Sequence, residues 1–561
     1  MSRIYTNAVI HTEDPKNPQA DTVVIDDGKF SYVGKAAGYA VKEEDEVIDL
    51  GGKFVIPGLI DSHQHWSLPA VSSGQHADPM CIVQEEKMEA ALSQLDQFVK
   101  EHPDLTCYKA MAGWKEDWGR TLNRYDLDKI CSDKPMMVID LGAHSFSGNS
   151  KLLEVLNVTK DTPDPVPHFI YWQRDENGEP TGLGAEFVQA AAMKAVNTLP
   201  YEDIADNIME IVNYNISRGI TGAYDAGFFF DDEKFLDSMK ALEKEGKLKN
   251  RVSLSYCVYL PERAKDAVKK QREYREKYES DLMSLDTIKI FMDGTITEAT
   301  AGLTRPYING KSGQGGCLLE QDELYKLFKE ANDAGFDVHM HTIGDRTAKL
   351  IIDTLKKMEE DGIGLRVKFV IAHLQLMVDE YLPELAKHNI FLNLTPFWVR
   401  YSEDAYQSSD LVVLPEGSRS NRYNTYWKTG APVAFSSDVT VLPSYAGDDK
   451  LNPFVGMEIG MRRLEIGEKN EKWVDDPAEK LTLDQMLTGY TINGAKQCSW
   501  EKVTGSIEVG KSADMVVLDR NLYEIPAETI HETQPLFTVF KGEEVYRSSA
   551  NRGDLKCSNT V

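Results

Sequence analysis

A basic excess is missing from this sequence. Its 561 residues hold 62 Lys and Arg against 90 Asp and Glu, a formal net charge of −28. Nucleic acid and anionic membranes both select a basic surface, so neither is expected as a partner. Long apolar runs are missing too: no stretch approaches the roughly 20 residues that span a bilayer. Cysteine is sparse. The seven cysteines are odd in number, widely spaced and without a CxxC pair. That argues against a disulfide framework or a cysteine-based zinc site and fits a reducing cytoplasm. The opening "MSRIYTNAVIHTEDP" lacks the basic-then-apolar pattern of a secretion signal. The 42% hydrophobic and 27% charged content is ordinary for a globular protein. The length exceeds one ordinary core and implies two or more domains.

The two ends read alike. Residues 3–56 carry short alternating runs such as "DTVVIDDGKFSYVG", punctuated by Asp27-Gly28 and Gly51-Gly52. Residues 505–548 repeat the style in "GSIEVGKSADMVVLD" and "PLFTVFKGEEVYRS". Either end alone is small for a β core, so a sandwich shared by 1–56 and 497–561 is expected. The middle, 57–496, alternates differently. Strand-like runs appear at "KFVIPGLIDSHQH" and at 219–227, 251–260, 285–294, 335–345, 365–375, 389–397 and 431–438. Helical periodicity separates most of them, as in "DEKFLDSMKALEKEG" and "DELYKLFKEANDAG". Eight strand–helix alternations predict an α/β fold, a (β/α)8 TIM barrel. The exception is the stretch after the first barrel strand, about 66–200. It carries helical and loop signals and four tryptophans, Trp66, Trp114, Trp118 and Trp172. It reads as an insertion over the barrel mouth or as a separate docked subdomain.

In such a barrel the chemistry belongs at the C-terminal strand ends. His63, His65, His339, His341 and His373 fall at or beside those ends, and the last strand runs into Asp438. Residues i and i+2 of a strand share a face, so His63 and His65 can converge on one cation. Buried imidazoles need partners, and the later histidines with Asp438 complete a nitrogen/oxygen set suited to Zn²⁺, Mn²⁺, Fe²⁺ or Ni²⁺. His339, two residues before His341, reads as a ligand or as an outer partner. Lys289 is the odd member, because an ammonium beside a dication is repelled. Carboxylated by CO₂ it becomes an anion able to bridge two metals; otherwise it reaches a carboxylate such as Asp293 or extends to solvent.

These residues sit in recognisable pieces: "VIPGLIDSHQHW", "GAHSFSGNS", "RDENGEPTGLGAE", "GITGAYDAG", "IKIFMDGTITEATAGLTRPY", "VHMHTIGDRTA", "IAHLQ", "VAFSSD" and "GSIEVGKSADMVVLD". Together they resemble the amidohydrolase superfamily, and more closely its YtcJ-like branch, amidohydrolase family 3, which includes N-substituted formamide deformylases. The resemblance covers nearly the whole chain. It implies metal binding by His63, His65, His341, His373 and Asp438, with Lys289 as a carboxylated ligand. It gives Asp438 the role of general base and places His144 near the substrate. Two departures stand out: "SDVTV" where a small residue and proline commonly follow the aspartate, and "HTIGD" for the commoner "HAIGD".

The expected activity is metal-dependent hydrolysis of a C–N bond in a small-molecule amide, formamide or cyclic amide, with one or two divalent ions, zinc first among them. Asp438 is the expected base, and His144 or His373 steadies the oxyanion. Trp114, Trp398, His144 and Asp293 are the candidate substrate contacts. Ester, carbamate or deaminase chemistry on the same site is the alternative, as is a non-catalytic ligand-binding or regulatory protein. The expected partner is a small molecule, in a chain able to self-associate as a homodimer.

Overall fold

The computed structural model describes residues 2–72, 79–83, 85, 87–113, 118, 120–140, 142, 144–196, 201–230, 232–308, 313–403, 420–445, 450–549 and 557–558. Eight strands form one sheet in sequential order: β1 (Leu59–Gln64), β2 (Ile220–Asp225), β3 (Arg251–Val258), β4 (Met283–Phe291), β5 (Asp337–Thr342), β6 (Phe369–His373), β7 (Ile390–Leu394) and β8 (Val433–Phe435). Each laddered neighbour pair is parallel. The seam between β1 and β8 is tied by Ser62 Oγ donating to the Phe435 carbonyl at 2.8 Å. Just past the strand ends, Asp438 N donates to His63 O at 2.9 Å and His65 N to Val439 O at 3.0 Å. The strands are buried on both faces, as in β1, β3, β5 and β6, because helices cover the outside and side chains fill the inside.

The helices follow their apolar stripes. Gln321–Ala334 buries Leu324, Leu327, Phe328 and Ala331, starts in a Glu320/Glu323 capping box and stops at left-handed Gly335. Among the described residues no helix is long and apolar enough to cross a membrane.

The segment after β1 departs from the helical and loop reading. It holds a six-stranded sheet in the order Tyr171–Arg174, Pro180–Ala185, Ser145–Gly148, Met136–Asp140, Tyr108–Ala112, Met80–Val83. Strand Met136–Asp140 shows how it sits. Met136 and Val138 face a core with Leu95 and Leu127, while Met137 and Ile139 join the core shared with the barrel. Period-two alternation thus gives the insertion a core of its own and welds its other face to the barrel.

Both chain ends contribute strands to two further sheets. One orders as Cys557–Ser558, Glu46–Asp49, Arg3–Thr6, Thr22–Asp26, Lys29–Gly34; the other as Glu543–Arg547, Pro535–Phe540, Met515–Leu518, Phe54–Pro57, Val9–His11, Gln19–Ala20. Phe54–Pro57 and Met515–Leu518 pair antiparallel. Val55, Met515 and Val517 enter the core between these sheets, and Phe54, Ile56, Val516 and Leu518 enter the barrel core. Deleting 505–561 removes that partner strand and exposes Val55 and Phe54. We expect the truncated chain to aggregate or lose its N-terminal strands, read as lost amide protection over 3–57; a folded, active truncation would contradict this pairing.

Candidate metal centre at the barrel rim

The register of the barrel sets the layers. Lys289 on β4 pairs with His339 on β5, and Phe291 with His341, so His341 stands one layer nearer the rim. Thr342 pairs with His373, the last residue of β6. Side chains from opposite walls meet at the centre. Asp438 Oδ1 lies 3.4 Å from both His63 Nε2 and His65 Nε2. These three residues offer ligand atoms that all lie within 4.8 Å of one another. His373 Nδ1 stands 3.9 Å from Asp438 Oδ2, and the His341 and His373 rings are 4.6 Å apart. Lys289, fully buried, brings Nζ to 3.2 Å from His63 Nε2.

Two residues of this cluster hold unusual backbone. His373 has φ +73° and Asp438 φ +54°. Each left-handed non-glycine residue costs roughly 1–3 kcal/mol, offset here by surrounding bonds. Asp61 is the clearest of these: its Oδ1 accepts from Ser437 N at 3.0 Å and His63 N at 3.3 Å, lacing β1 to the approach of Asp438. Burial raises the Asp61 carboxyl to about 7.

The donor set fits a cation. His373 Nδ1, the ring atom that faces Asp438, is buried without a hydrogen-bond partner, and an orphaned buried polar atom costs roughly 1–3 kcal/mol. Burial first, then Lys289, holds His63 and His341 well below the usual imidazole range. Burial, then His341, does the same for His373. Neutral imidazoles keep the lone pairs that ligation needs. His339 takes the outer position: its Nε2 lies 3.0 Å from His63 Nδ1, and its ring stacks on Tyr224 at 4.6 Å. This leaves His63 Nε2 for the cation side. Burial lowers the Lys289 amine to about 8.

A cavity of about 750 Å³ opens over this cluster, lined among others by His65, His144, His341, Trp398 and Asp438. Trp398 stacks on His373 at 4.7 Å and 16°. His144 comes from the insertion, with Nδ1 2.7 Å from Glu186 Oε2. Burial opposes its charge, but Glu186, with Glu298 and Asp438, outweighs that and lifts it to about 9. Asp293 corrects an expectation. It is fully buried, and its carboxylate accepts from Ile343 N, Gly344 N, Gly302 N and Thr347 Oγ1 at 2.8–3.1 Å. It fastens the loops after β4 and β5 and, fully buried, is not among the residues that line the cavity. Trp114 lies outside the described residues. Reading the sequence alone missed Glu186, Tyr224 and the bridging role of Asp61, although Asp61 and Glu186 stand inside "GLIDSHQH" and "PTGLGAE".

Residues 46–546 match the profile of the amidohydrolase family. The exoenzymes regulatory protein AepA of Pectobacterium carotovorum subsp. carotovorum is 31% identical over 410 residues, 72% of this chain and 86% of that protein. The N-substituted formamide deformylase of Arthrobacter pascens is 24% identical over 567 residues, 96% of each. An uncharacterized metal-dependent hydrolase from Pyrococcus horikoshii OT3 has the same fold, with a TM-score of 0.69 at 22% identity over 94% of this chain and 99% of its own. With the profile running through the whole barrel and into the strands of both ends, the chain belongs to the amidohydrolase family.

Proposed function

We propose that this protein is a metal-dependent hydrolase that cleaves the C–N bond of a small amide, formamide or cyclic amide. The convergence of His63 and His65, at the end of β1, with Asp438, just after the neighbouring β8, carries the reading. The likeness to a formamide deformylase supports the choice of bond. His63, His65, His341, His373 and Asp438, with a carboxylated Lys289, would hold the cation, and zinc suits that donor set. When bound, such a cation supplies Lewis acidity, polarising a carbonyl and lowering the pKa of water.

The chain's own groups do the rest. Asp438 accepts a proton from the attacking water as its oxygen adds to the carbonyl carbon. It returns that proton to the leaving nitrogen as the C–N bond breaks, so acid and base are one group. His144, held charged beside Glu186, offers Nε2–H to the developing oxyanion. Trp398 gives a flat apolar wall for the substituent on nitrogen.

The test is elemental analysis of the purified protein together with hydrolysis of formanilide, N-acyl amines, esters, carbamates and aminopurines. Zinc with amine release from the amides is the expected result; turnover confined to the other arms would move the reaction to another bond. Lys289 is checked separately: intact mass and diffraction density are expected to show one added CO₂ on its side chain. A bare amine in a metal-loaded site would remove it from the ligand set. A regulatory reading is favoured by one observation, the name of the 31%-identical relative. It predicts retained ligand binding and no turnover in the metal-loaded protein.

A further inference from the structure

Glu186 lies directly after the insertion's Pro180–Ala185 strand and is 3% exposed. Its backbone is left-handed, with φ +55°, a costly state for a glutamate. Two bonds account for the strain. Its N–H donates to the His144 carbonyl at 2.6 Å, and its Oε2 sits 2.7 Å from His144 Nδ1. The same residue therefore holds the main chain and the ring of His144.

The other carboxylate oxygen points to the barrel. Oε1 accepts from Thr300 Oγ1 at 2.6 Å, and Thr300 Oγ1 in turn accepts from Thr295 N at 2.9 Å. Thr295 and Thr300 belong to the loop that leaves β4. Gly294, at the root of that loop, makes room: a Cβ there would stand 2.3 Å from Glu186 Oε1 and 2.2 Å from Thr300 Oγ1. The Gly294 carbonyl is 3.4 Å from His341 Nε2, so the carboxylate packs beside a peptide that touches the metal centre's own histidine.

An ionised carboxylate only accepts, so the nitrogen it contacts must carry the hydrogen. That commits Nδ1 of His144 to Glu186 and leaves Nε2 as the ring atom available to the cavity. We propose that Glu186 is the positioning residue for His144. It fixes the ring's orientation and decides which nitrogen meets the substrate, and through Thr300 it anchors the insertion to the barrel loop beside the metal centre. This rests on the reading of His144 as a substrate-facing donor.

The test uses full-length, zinc-loaded protein with ¹⁵N-labelled histidine, in wild type and in Glu186→Ala, Glu186→Met, Glu186→Gln and His144→Ala. The signal lost in His144→Ala identifies the ring. In wild type it should show a hydrogen-bonded Nδ1–H. Glu186→Ala should lose that signature, and Glu186→Met, which fills the volume without an acceptor, serves if the smaller variant does not fold. Glu186→Gln, whose Oε1 still accepts, should keep it. With formanilide as probe, Glu186→Ala should lower kcat/KM about 100-fold, the scale of a misplaced reacting group, and Glu186→Gln should recover at least 10-fold of that. Adding Glu186→Ala to His144→Ala should cost no more than about 2-fold further, since coupled residues are not additive. An unchanged His144 signal in both Glu186→Ala and Glu186→Met overturns the proposal, as does a double variant whose losses multiply. If His144→Ala turns over normally, the reading of His144 itself fails, and the NMR comparison still decides the Glu186 contact.

Discussion

Replacing Asp438 by asparagine is expected to lower kcat by about 10²- to 10⁴-fold, the span of general acid–base catalysis, while the metal stays bound. Asparagine keeps the shape of the side chain and an oxygen that can sit where Oδ1 faces His63 and His65 at 3.4 Å. It cannot take a proton from water. It also tolerates the left-handed backbone at this position, φ +54°, because asparagine shares with aspartate the tolerance for that region. The fold should therefore survive, and Asp438→Asn separates chemistry from assembly. Steady-state hydrolysis of formanilide beside elemental analysis reads the two halves. A variant that retains metal and full kcat would take the base role away from Asp438.

The second large effect is on metal content. His63 is the hub of the cluster: its ring lies within 4.8–5.4 Å of the His65, His339 and His373 rings, and its Nε2 faces both Asp438 and Lys289. His63→Ala with His65→Ala should leave the protein without stoichiometric metal after dialysis. His339→Ala, which removes only the partner behind His63, should weaken zinc by about 10- to 100-fold, the usual loss for an outer partner. Competition with a chelator of known affinity ranks the variants. Equal retention of zinc by the double variant and the wild type would refute the centre.

Much of this arrangement could be read from the sequence, for identifiable reasons. Barrel strands buried on both faces appear as dense apolar runs, so all eight were visible. Their polar interruptions then stood out, as His63 and His65 do after "FVIPGLIDS". Period two placed His339 and His341 on one face, but alternation does not give depth. The barrel register does, putting His339 level with Lys289 and beneath His341. The insertion's sheet was hidden for the opposite reason. Two of its central strands, "SFSG" and "PTGLGA", use residues poor in β preference. Asp293 was misread because a carboxylate on the lysine's face looks free until the loops that bond it are in place. Glu186 carries no local signal, since its partner is 42 residues away and its backbone state depends on that partner.

The pairing of Phe54–Pro57 with Met515–Leu518 also sets a timetable. During synthesis the earlier strand emerges with one edge bare and waits until the barrel has been made. At ribosomal speeds of about 5–20 residues per second, that wait is roughly half a minute to a minute and a half. Through it the edge is a template for the wrong neighbour, so the yield of native protein should depend on chaperone supply more steeply than its finished stability suggests.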